Sequence, residues 1–370
     1  MEKPIRILQV LGRLDRGGAE TMLMNLYRCM DRSQIQFDFI IHTTDICDYT
    51  EEVKRLGGKI YSMKPFRAST AIHYRKQWKD FFREHNEYKV IHGHMRSTAS
   101  LYLAEAKKAG LVTIVHSHNT SSGKGISALV KNVLQYPLRF QADYLFACSK
   151  GSGVWLYGEK ACEKERFHIL KNGIMPEAFS FSEEIRESVR NEMQAGRDLI
   201  FLHVGRMERQ KNHVFLLHII KSVSEKYKNV QLWLCGVGPL ESEIKQQIKE
   251  LDLEKQVRIL GVRTDIPQLM QAADGMIFPS LFEGLPVTLI EAQAAGLPVL
   301  MSDTITEEVV LTDLVKTLPL SESAENWSER ALKMIPGEER GKYREIVAAK
   351  GYDVKKNAKE LAIFYKEIGE

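Results

Sequence analysis

Two basic residues follow an apolar run in the second half of the chain. Arg206 and Lys211 lie in the segment GRMERQKN at positions 205–212, directly after the run at 199–204. A guanidinium group offers a planar fork of donors and an ammonium group offers a point charge, so together they suit a diphosphate. A solvated basic turn has the same composition and is the alternative. We therefore treat Arg206 and Lys211 as candidates for an anion site.

Two glutamates, Glu283 and Glu291, lie eight positions apart in the segment FPSLFEGLPVTLIEA at 278–292. Pro286 is favoured in the first turn of a helix, whose N–H groups and positive end would face an anion. Gly284 would permit an unusual backbone angle just before that helix. A carboxylate on an apolar helix face is unfavourable unless it has partners. The segment therefore predicts a phosphate site with hydroxyl-binding carboxylates on either side.

Paired glycines and histidines follow strand-like runs elsewhere in the chain. Gly17 and Gly18 precede a helical stretch, and a second glycine-rich turn, CGVGPLE, spans 235–241. Such turns let the backbone approach an anion closely, although a simple tight turn is an equal alternative. Their spacing is neither GxGxxG nor a Walker loop, which disfavours dinucleotide-dependent dehydrogenases and phosphate-loop ATPases.

The motifs His92-Gly-His94 and His116-Ser-His118 each place two imidazoles on one side of an extended chain. Such pairs could bind zinc or iron, but no carboxylate stands at a fixed spacing to complete a metal site. A histidine acting on a hydroxyl or phosphate group is the favoured interpretation, and for His92 a structural role in the core.

Short apolar runs alternate with amphipathic, helix-length segments throughout, a pattern typical of parallel sheets built from βαβ units. We expect two doubly wound α/β domains, separated within 171–182, and a closing amphipathic helix over 353–368. The predicted strands are 5–11, 37–42, 59–63, 90–92, 113–116 and 144–148 in the first half, and 199–204, 231–235, 257–260, 275–278 and 299–301 in the second.

Composition agrees with two globular domains. The chain has 370 residues, of which 44% are apolar and 27% charged. The first 175 residues contain 27 basic and 17 acidic residues, whereas the remainder contains 25 and 31, so the two halves favour different partners. No apolar run is long enough to span a bilayer and the N-terminus lacks signal-peptide features, so we expect a soluble cytoplasmic protein. Five scattered cysteines indicate neither a disulfide framework nor a thiolate metal site.

Six motifs occur in an order that resembles the family 4 retaining glycosyltransferases, particularly the bacterial exopolysaccharide and capsule enzymes. They are the GGAE turn, KNGI, HVGRMERQKN, CGVGPLE, GVRTDIPQLMQAADGMIFPS and SLFEGLPVTLIEAQAAGLPVL. The resemblance implies a GT-B fold, in which two Rossmann-like domains face a cleft. It implies an acceptor domain over 1–174, a nucleotide-sugar domain over 175–352, and a helix at 353–370 that returns to the first domain.

The resemblance also implies roles for individual residues. Arg206 and Lys211 would bind the donor diphosphate, Glu283 the transferred sugar and Glu291 the ribose, while His118 corresponds to the active-site histidine of the family. The remaining donor-binding candidates are Gly17, Gly18, Gly205, Gly238, Arg263, Gly284, Leu285, Pro286 and Val287.

The expected reaction is transfer of a sugar with retention, from a UDP-sugar to a saccharide or lipid-linked saccharide, without a metal and without nucleic acid. A basic, aromatic segment at 73–89 could contact an anionic membrane, or could pack its aromatic face on the sheet. The alternatives are a UDP-sugar 2-epimerase of the same fold, a metal-dependent hydrolase that uses the HxH pairs, and a sugar-nucleotide-binding module without catalysis.

Overall fold

A computed structural model describes residues 3–119, 125–334 and 339–369. The chain divides into two compact units, one formed by Met1–Gly173 together with Val354–Glu370 and the other by Ile174–Asp353. Each unit contains one parallel sheet. In both sheets the central strands are buried, which explains why their sequences are continuous apolar runs rather than alternating ones.

The first unit has a seven-stranded sheet in the order β3-β2-β1-β4-β5-β6-β7. Its strands are β1 Ile5–Val10, β2 Ile35–Ile41, β3 Ile60–Ser62, β4 Val90–Gly93, β5 Val112–Ser117, β6 Tyr144–Ala147 and β7 Phe167–Ile169. Its helices are α1 Gly18–Cys29, α2 Thr50–Arg55, α3 Ala71–Glu84, α4 Ala99–Lys108, α5 Ile126–Gln135, α6 Leu138–Gln141, α7 Lys150–Tyr157 and α8 Glu159–Cys162.

The second unit has a six-stranded sheet in the order β10-β9-β8-β11-β12-β13. Its strands are β8 Leu199–Val204, β9 Val230–Cys235, β10 Val257–Gly261, β11 Gly275–Phe278, β12 Val299–Ser302 and β13 Val315–Leu318. Its helices are α9 Glu183–Glu192, α10 His213–Lys226, α11 Glu241–Glu250, α12 Ile266–Ala272, α13 Val287–Ala294, α14 Ala324–Leu332 and α15 Tyr343–Val347.

The last helix, α16 Val354–Gly369, belongs to the first unit. It buries Ala358, Leu361 and Tyr365 in the hydrophobic cluster that surrounds β1 and β2. The apolar spacing that predicted this helix therefore describes its buried face.

All eleven predicted strands are present, within two residues at either end. Strands β7 and β13 were not predicted, and each is one of the two edge strands of its sheet. Both are short and partly exposed, so they lack the continuous apolar run that marks a central strand.

The basic, aromatic segment at 73–89 takes the second of its two expected arrangements. Helix α3 buries Tyr74, Trp78, Phe81 and Phe82, and the Trp78 ring stacks on Tyr102 at a centroid distance of 4.9 Å. The aromatic side chains of this segment are therefore held in the core and are not available to enter a membrane. None of the described helices combines the length and the apolar composition needed to cross a bilayer.

Candidate active site

The strand order of the second unit reverses between β8 and β11, because the chain adds β9 and β10 on one side of β8 and then returns to its other side. In open parallel sheets, ligands bind beyond the carboxyl ends of the strands at such a point. The loops that follow β8 and β11 contain the two predicted segments at 205–212 and 278–292. The topology therefore brings these segments to the same edge of the sheet.

Direct hydrogen bonds hold the two loops together. The backbone N–H of Leu281 donates to the Gln210 carbonyl at 2.8 Å, and the Gln210 side chain donates to the Phe282 carbonyl at 2.9 Å. Asn212 adopts a left-handed backbone with φ 55° and donates from its amide to the Pro279 carbonyl at 3.1 Å. These contacts fix the position of the first loop against the second.

Lys211 and Glu283 form an ion pair at the centre of this junction. Their Nζ and Oε1 atoms are 2.7 Å apart, and both side chains are largely buried. The Lys211 ammonium also lies 4.7 Å from the centre of the Phe278 ring. Burial reduces the screening of both charges by water, while the pairing holds the Lys211 ammonium in place and partly offsets its charge.

Arg206 lies on the same loop but is directed towards solvent. Its side chain is 75% exposed, and its guanidinium lies 3.0 Å from the Glu208 carboxylate. An exposed ion pair of this kind contributes little stability and is easily exchanged. Arg206 is therefore accessible to an anionic ligand, whereas Lys211 is already oriented by Glu283.

Helix α13 begins at Val287, with Pro286 as its N-cap residue rather than in its first turn. Glu291 lies in the second turn of this helix, and burial raises the pKa of its carboxyl group to about 7. Among the described residues it has no hydrogen-bond or ion-pair partner. The Glu291 side chain is only partly buried, so its carboxyl group can acquire hydrogen-bond partners from a ligand.

The glycines of the site differ in whether the surrounding atoms leave room for a Cβ atom. Gly284 does not have a positive φ, so the expected unusual backbone angle is wrong. A Cβ atom at Gly284 would meet no atom within 4 Å. At Gly238, in contrast, a Cβ atom would lie 2.5 Å from the Met207 carbonyl oxygen, and at Gly205 it would lie 2.9 Å from Lys211 Cε. Packing within the loop after β8 explains Gly205 and packing between the loops after β8 and β9 explains Gly238, but neither explains Gly284.

The other donor-binding candidates of this unit do not take part in the contacts between the loops after β8 and β11. Leu285 and Val287 are partly buried against the hydrophobic core beside α13. Arg263 follows β10, which is separated from β8 by β9. Its guanidinium forms a two-pronged contact with Asp265, at 2.8 and 2.5 Å. The contacts that join the loops after β8 and β11 do not include Arg263.

The strand order of the first sheet also reverses, between β1 and β4. Gly17 is the N-cap residue of α1, which follows β1, and Gly18 is the first residue of that helix. A Cβ atom at Gly18 would meet no atom within 4 Å. The start of α1 and the end of β4 therefore border the switch point of this unit.

Four histidines meet at the ends of β4 and β5. His92 stacks on His94 at 4.5 Å between ring centroids, and His116 stacks on His118 at 4.1 Å, so each HxH pair does share one side of its strand. His92 and His116 are fully buried, which confirms the structural role expected for His92. Burial lowers the pKa of both His92 and His118 to about 3, so both rings are neutral at pH 7.

A chain of hydrogen bonds joins α16 to His118. The Tyr365 hydroxyl lies 2.6 Å from His92 Nδ1, and Gln9 Nε2 donates to that hydroxyl at 3.3 Å. Gln9 Oε1 lies 2.9 Å from His94 Nε2, and His94 Nδ1 lies 2.9 Å from His118 Nε2. Hydroxyl donors form shorter bonds than N–H donors, so these distances fit a Tyr365 hydroxyl that donates to His92.

This direction of donation determines the tautomer of His118. With Gln9 Oε1 accepting from His94 Nε2–H, the neutral His94 ring offers its Nδ1 lone pair to His118 Nε2–H. The Nδ1 atom of His118 is then left as an acceptor, and it is buried without a partner among the described residues. His118 Nδ1 is therefore an acceptor whose hydrogen-bonding capacity is unused among the described residues. Gln9 and Tyr365 were not predicted as site residues, because neither belongs to a motif.

The positions of the histidines can be compared with the alternative prediction of a metal site. Nitrogen atoms of His92, His94 and His116 lie within 4.8 Å of one another. Both nitrogens of His94 are already hydrogen-bonded, to Gln9 and to His118. A metal bound by all three rings would have to displace one of these bonds.

Comparison with known proteins places these features in a family. Residues 16–178 match the family described as Glycosyltransferase Family 4, and residues 184–353 match Glycosyl transferases group 1. The chain is 37% identical over 368 residues to the putative glycosyltransferase EpsF of Bacillus subtilis, covering 97% of this chain and 96% of EpsF. The chain belongs to the family 4 glycosyltransferases.

Two further comparisons concern this glycosyltransferase. It is 26% identical over 235 residues to the UDP-Gal:alpha-D-GlcNAc-diphosphoundecaprenol alpha-1,3-galactosyltransferase of Escherichia coli, covering 59% of this chain and 58% of that enzyme. The solved structure of HepE from Anabaena, in complex with UDP, has a TM-score of 0.75 at 19% identity and covers 98% of this chain and 100% of HepE. The glycosyltransferase thus has the GT-B type of fold, with two Rossmann-like domains.

Proposed function

We propose that this glycosyltransferase moves a hexose from a UDP-sugar to a saccharide carried on a lipid diphosphate, with retention of anomeric configuration, in the synthesis of an exopolysaccharide or capsule. The observation that carries the proposal is the junction of the loops after β8 and β11, where Lys211 pairs with Glu283 just before α13 begins and Arg206 lies exposed on the same loop as Lys211. The name of the Escherichia coli relative supports a UDP donor and a lipid-linked acceptor, and the UDP-bound HepE supports the nucleotide.

Cleavage of the sugar–phosphate bond develops negative charge on the leaving diphosphate. Arg206 and Lys211 would bind that diphosphate, and the N–H groups at the start of α13 would add donors. A diphosphate that binds the Lys211 ammonium competes with Glu283 for it. The Glu283 carboxylate would then accept hydrogen bonds from hydroxyl groups of the transferred sugar, while Glu291 would accept them from the ribose.

In the retaining reaction, the acceptor hydroxyl attacks from the face that the diphosphate leaves, and the departing phosphate takes the hydroxyl proton. His118 would accept a hydrogen bond at Nδ1 and so orient the sugar or the acceptor hydroxyl. The cations take the place that a metal has in other phosphate-transfer sites, so we expect turnover without added metal. A lipid-linked acceptor would bring the enzyme to the inner face of the plasma membrane as a peripheral protein.

The test is release of nucleoside diphosphate from a panel of UDP- and GDP-sugars with a saccharide acceptor. Arg206→Ala and Lys211→Ala should each lower turnover by a factor on the order of 100. Arg209→Ala is the matched control, because Arg209 is an exposed arginine on the same loop. Unchanged turnover in both site variants would contradict the assigned site. Loss of activity with a chelator, restored by a metal, would contradict the metal-free reaction.

A further inference from the structure

Arg96 is a partly buried cation in the loop between β4 and α4 of the first unit. Among the described residues, its guanidinium has neither a hydrogen-bond acceptor nor a carboxylate partner. A charged group that leaves water without a counter-ion is unfavourable, and burial lowers the pKa of this guanidinium. We propose that Arg96 binds a phosphate group of the lipid-linked acceptor. This inference rests on the proposed function and adds to it a residue that selects the acceptor.

The guanidinium of Arg96 keeps its N–H donors available to such a ligand. Its Cζ atom lies over the Trp155 ring of α7, at 4.7 Å from the ring centre. A cation–π contact of this kind uses none of the N–H groups in a hydrogen bond. Nη1 is the one nitrogen of Arg96 that is both closed off from solvent and without a partner among the described residues. The planar fork of donors therefore suits a phosphate, which can accept from two nitrogens at once.

The topology of the first sheet directs Arg96 towards His118. Strand β5 lies between β4 and β6. Arg96 follows β4, and the helix that holds Trp155 follows β6, so the Arg96 side chain extends towards the strand between them. His118 follows β5, and the positive charge of Arg96 contributes to lowering the pKa of that histidine. An unpartnered donor group and the unused acceptor of His118 are therefore close to each other.

The distribution of cations between the units favours the acceptor as the source of the phosphate. Arg206 and Lys211, which we propose to bind the donor diphosphate, both belong to the second unit. Arg96 belongs to the first unit, which the resemblance assigns to the acceptor. The Escherichia coli relative is named for an acceptor in which a diphosphate joins the sugar to the lipid. Arg96 would bind that diphosphate while His118 orients a hydroxyl group of the sugar.

The experiment is calorimetric titration of the full-length protein with decyl diphosphate in the presence of saturating UDP. UDP occupies the cations of the second unit, and decyl diphosphate carries no sugar, so the result does not depend on the identity of the saccharide. Arg96→Gln should bind decyl diphosphate on the order of 10-fold more weakly than the wild type. Arg96→Lys, which keeps the charge but loses the fork, should lose less. Both variants should bind UDP as the wild type does.

Arg83→Gln is the matched control, because Arg83 is an exposed arginine of the same unit that pairs with Asp80 on α3 at 3.2 Å. It should bind both ligands with wild-type affinity. The inference is wrong if the wild type does not bind decyl diphosphate, or if Arg96→Gln binds it equally well. It is equally wrong if Arg96→Gln loses affinity for UDP, since Arg96 would then belong to the donor site.

The proposed reaction is tested separately, by nucleoside diphosphate release in Arg206→Ala and Lys211→Ala. If those variants keep wild-type turnover while decyl diphosphate binding depends on Arg96, the assigned donor site fails and the phosphate site remains. If the wild type turns over with a neutral saccharide acceptor and does not bind decyl diphosphate, the inference about Arg96 fails alone.

Discussion

Replacing Glu291 by Gln should stabilise the second unit and at the same time weaken nucleotide binding. Burial raises the pKa of the Glu291 carboxyl group to about 7, compared with 4.5 for an ordinary glutamate. The folded protein therefore keeps the Glu291 carboxyl group protonated up to about pH 7, whereas in the unfolded chain this group loses its proton from about pH 4.5 upwards. The stability that this group contributes is fully present below pH 4.5 and is lost as the pH rises to about 7.

The size of the effect follows from that difference. Each pKa unit corresponds to about 1.4 kcal/mol, so the loss between pH 4.5 and 7 reaches about 3 kcal/mol. Glu291→Gln stays neutral at every pH, and at pH 8 it should be more stable than the wild type by up to that amount. Hydrogen exchange in peptides that cover β12 measures the free energy of unfolding of the second unit. Glu243→Gln, at an exposed position of α11, should leave the pH dependence unchanged.

Glu291→Gln should weaken the binding of UDP, although it should stabilise the fold. An ionised carboxylate that accepts ribose hydroxyls contributes more than a neutral amide, so Glu291→Gln should bind UDP about 10 to 100 times more weakly at pH 8. Calorimetric titration at pH 6 and pH 8 should show that the ratio of wild-type to variant affinity rises with pH, since ionisation of the UDP phosphate affects both proteins alike. Equal pH dependence of stability in the two proteins would refute the raised pKa. Equal UDP affinity would refute the ribose contact.

Three further substitutions test other parts of the site. Gly284→Ala should leave stability within about 0.5 kcal/mol, because its methyl group meets no protein atom, yet it should lower kcat/KM on the order of 10-fold if the donor lies there. Gly238→Ala places a methyl group 2.5 Å from the Met207 carbonyl oxygen, so thermal unfolding should show a loss of about 1 to 3 kcal/mol together with lost activity. Tyr365→Phe removes the hydroxyl that donates to His92, so it should lower kcat. In the same variant, ¹⁵N NMR should show a second tautomer of His118. A single tautomer and an unchanged kcat would contradict the hydrogen-bond chain.

The fold was largely predictable from the sequence, for a physical reason. Central parallel strands such as β8 and β9 are buried on both faces, so their apolar character is visible without knowledge of their neighbours. Strands β7 and β13 lie at sheet edges and are short and partly exposed, so they give no such signal, whereas the edge strands β3 and β10 were predicted. The two arrangements expected for 73–89 could not be distinguished from the sequence, because composition alone does not show whether an aromatic helix face is covered by the core.

The sequence by itself determined the residue types of the candidate site and the strand ends that hold them. Only the tertiary structure decided which of those residues meet. Lys211 and Glu283 are 72 positions apart and pair at 2.7 Å because β8 and β11 are neighbours in the sheet. Gln9 and Tyr365 are 356 positions apart, and they contact because α16 packs against β1. Local spacing encodes each strand and its loop, whereas contacts between distant segments arise only when the strands take their order in the sheet.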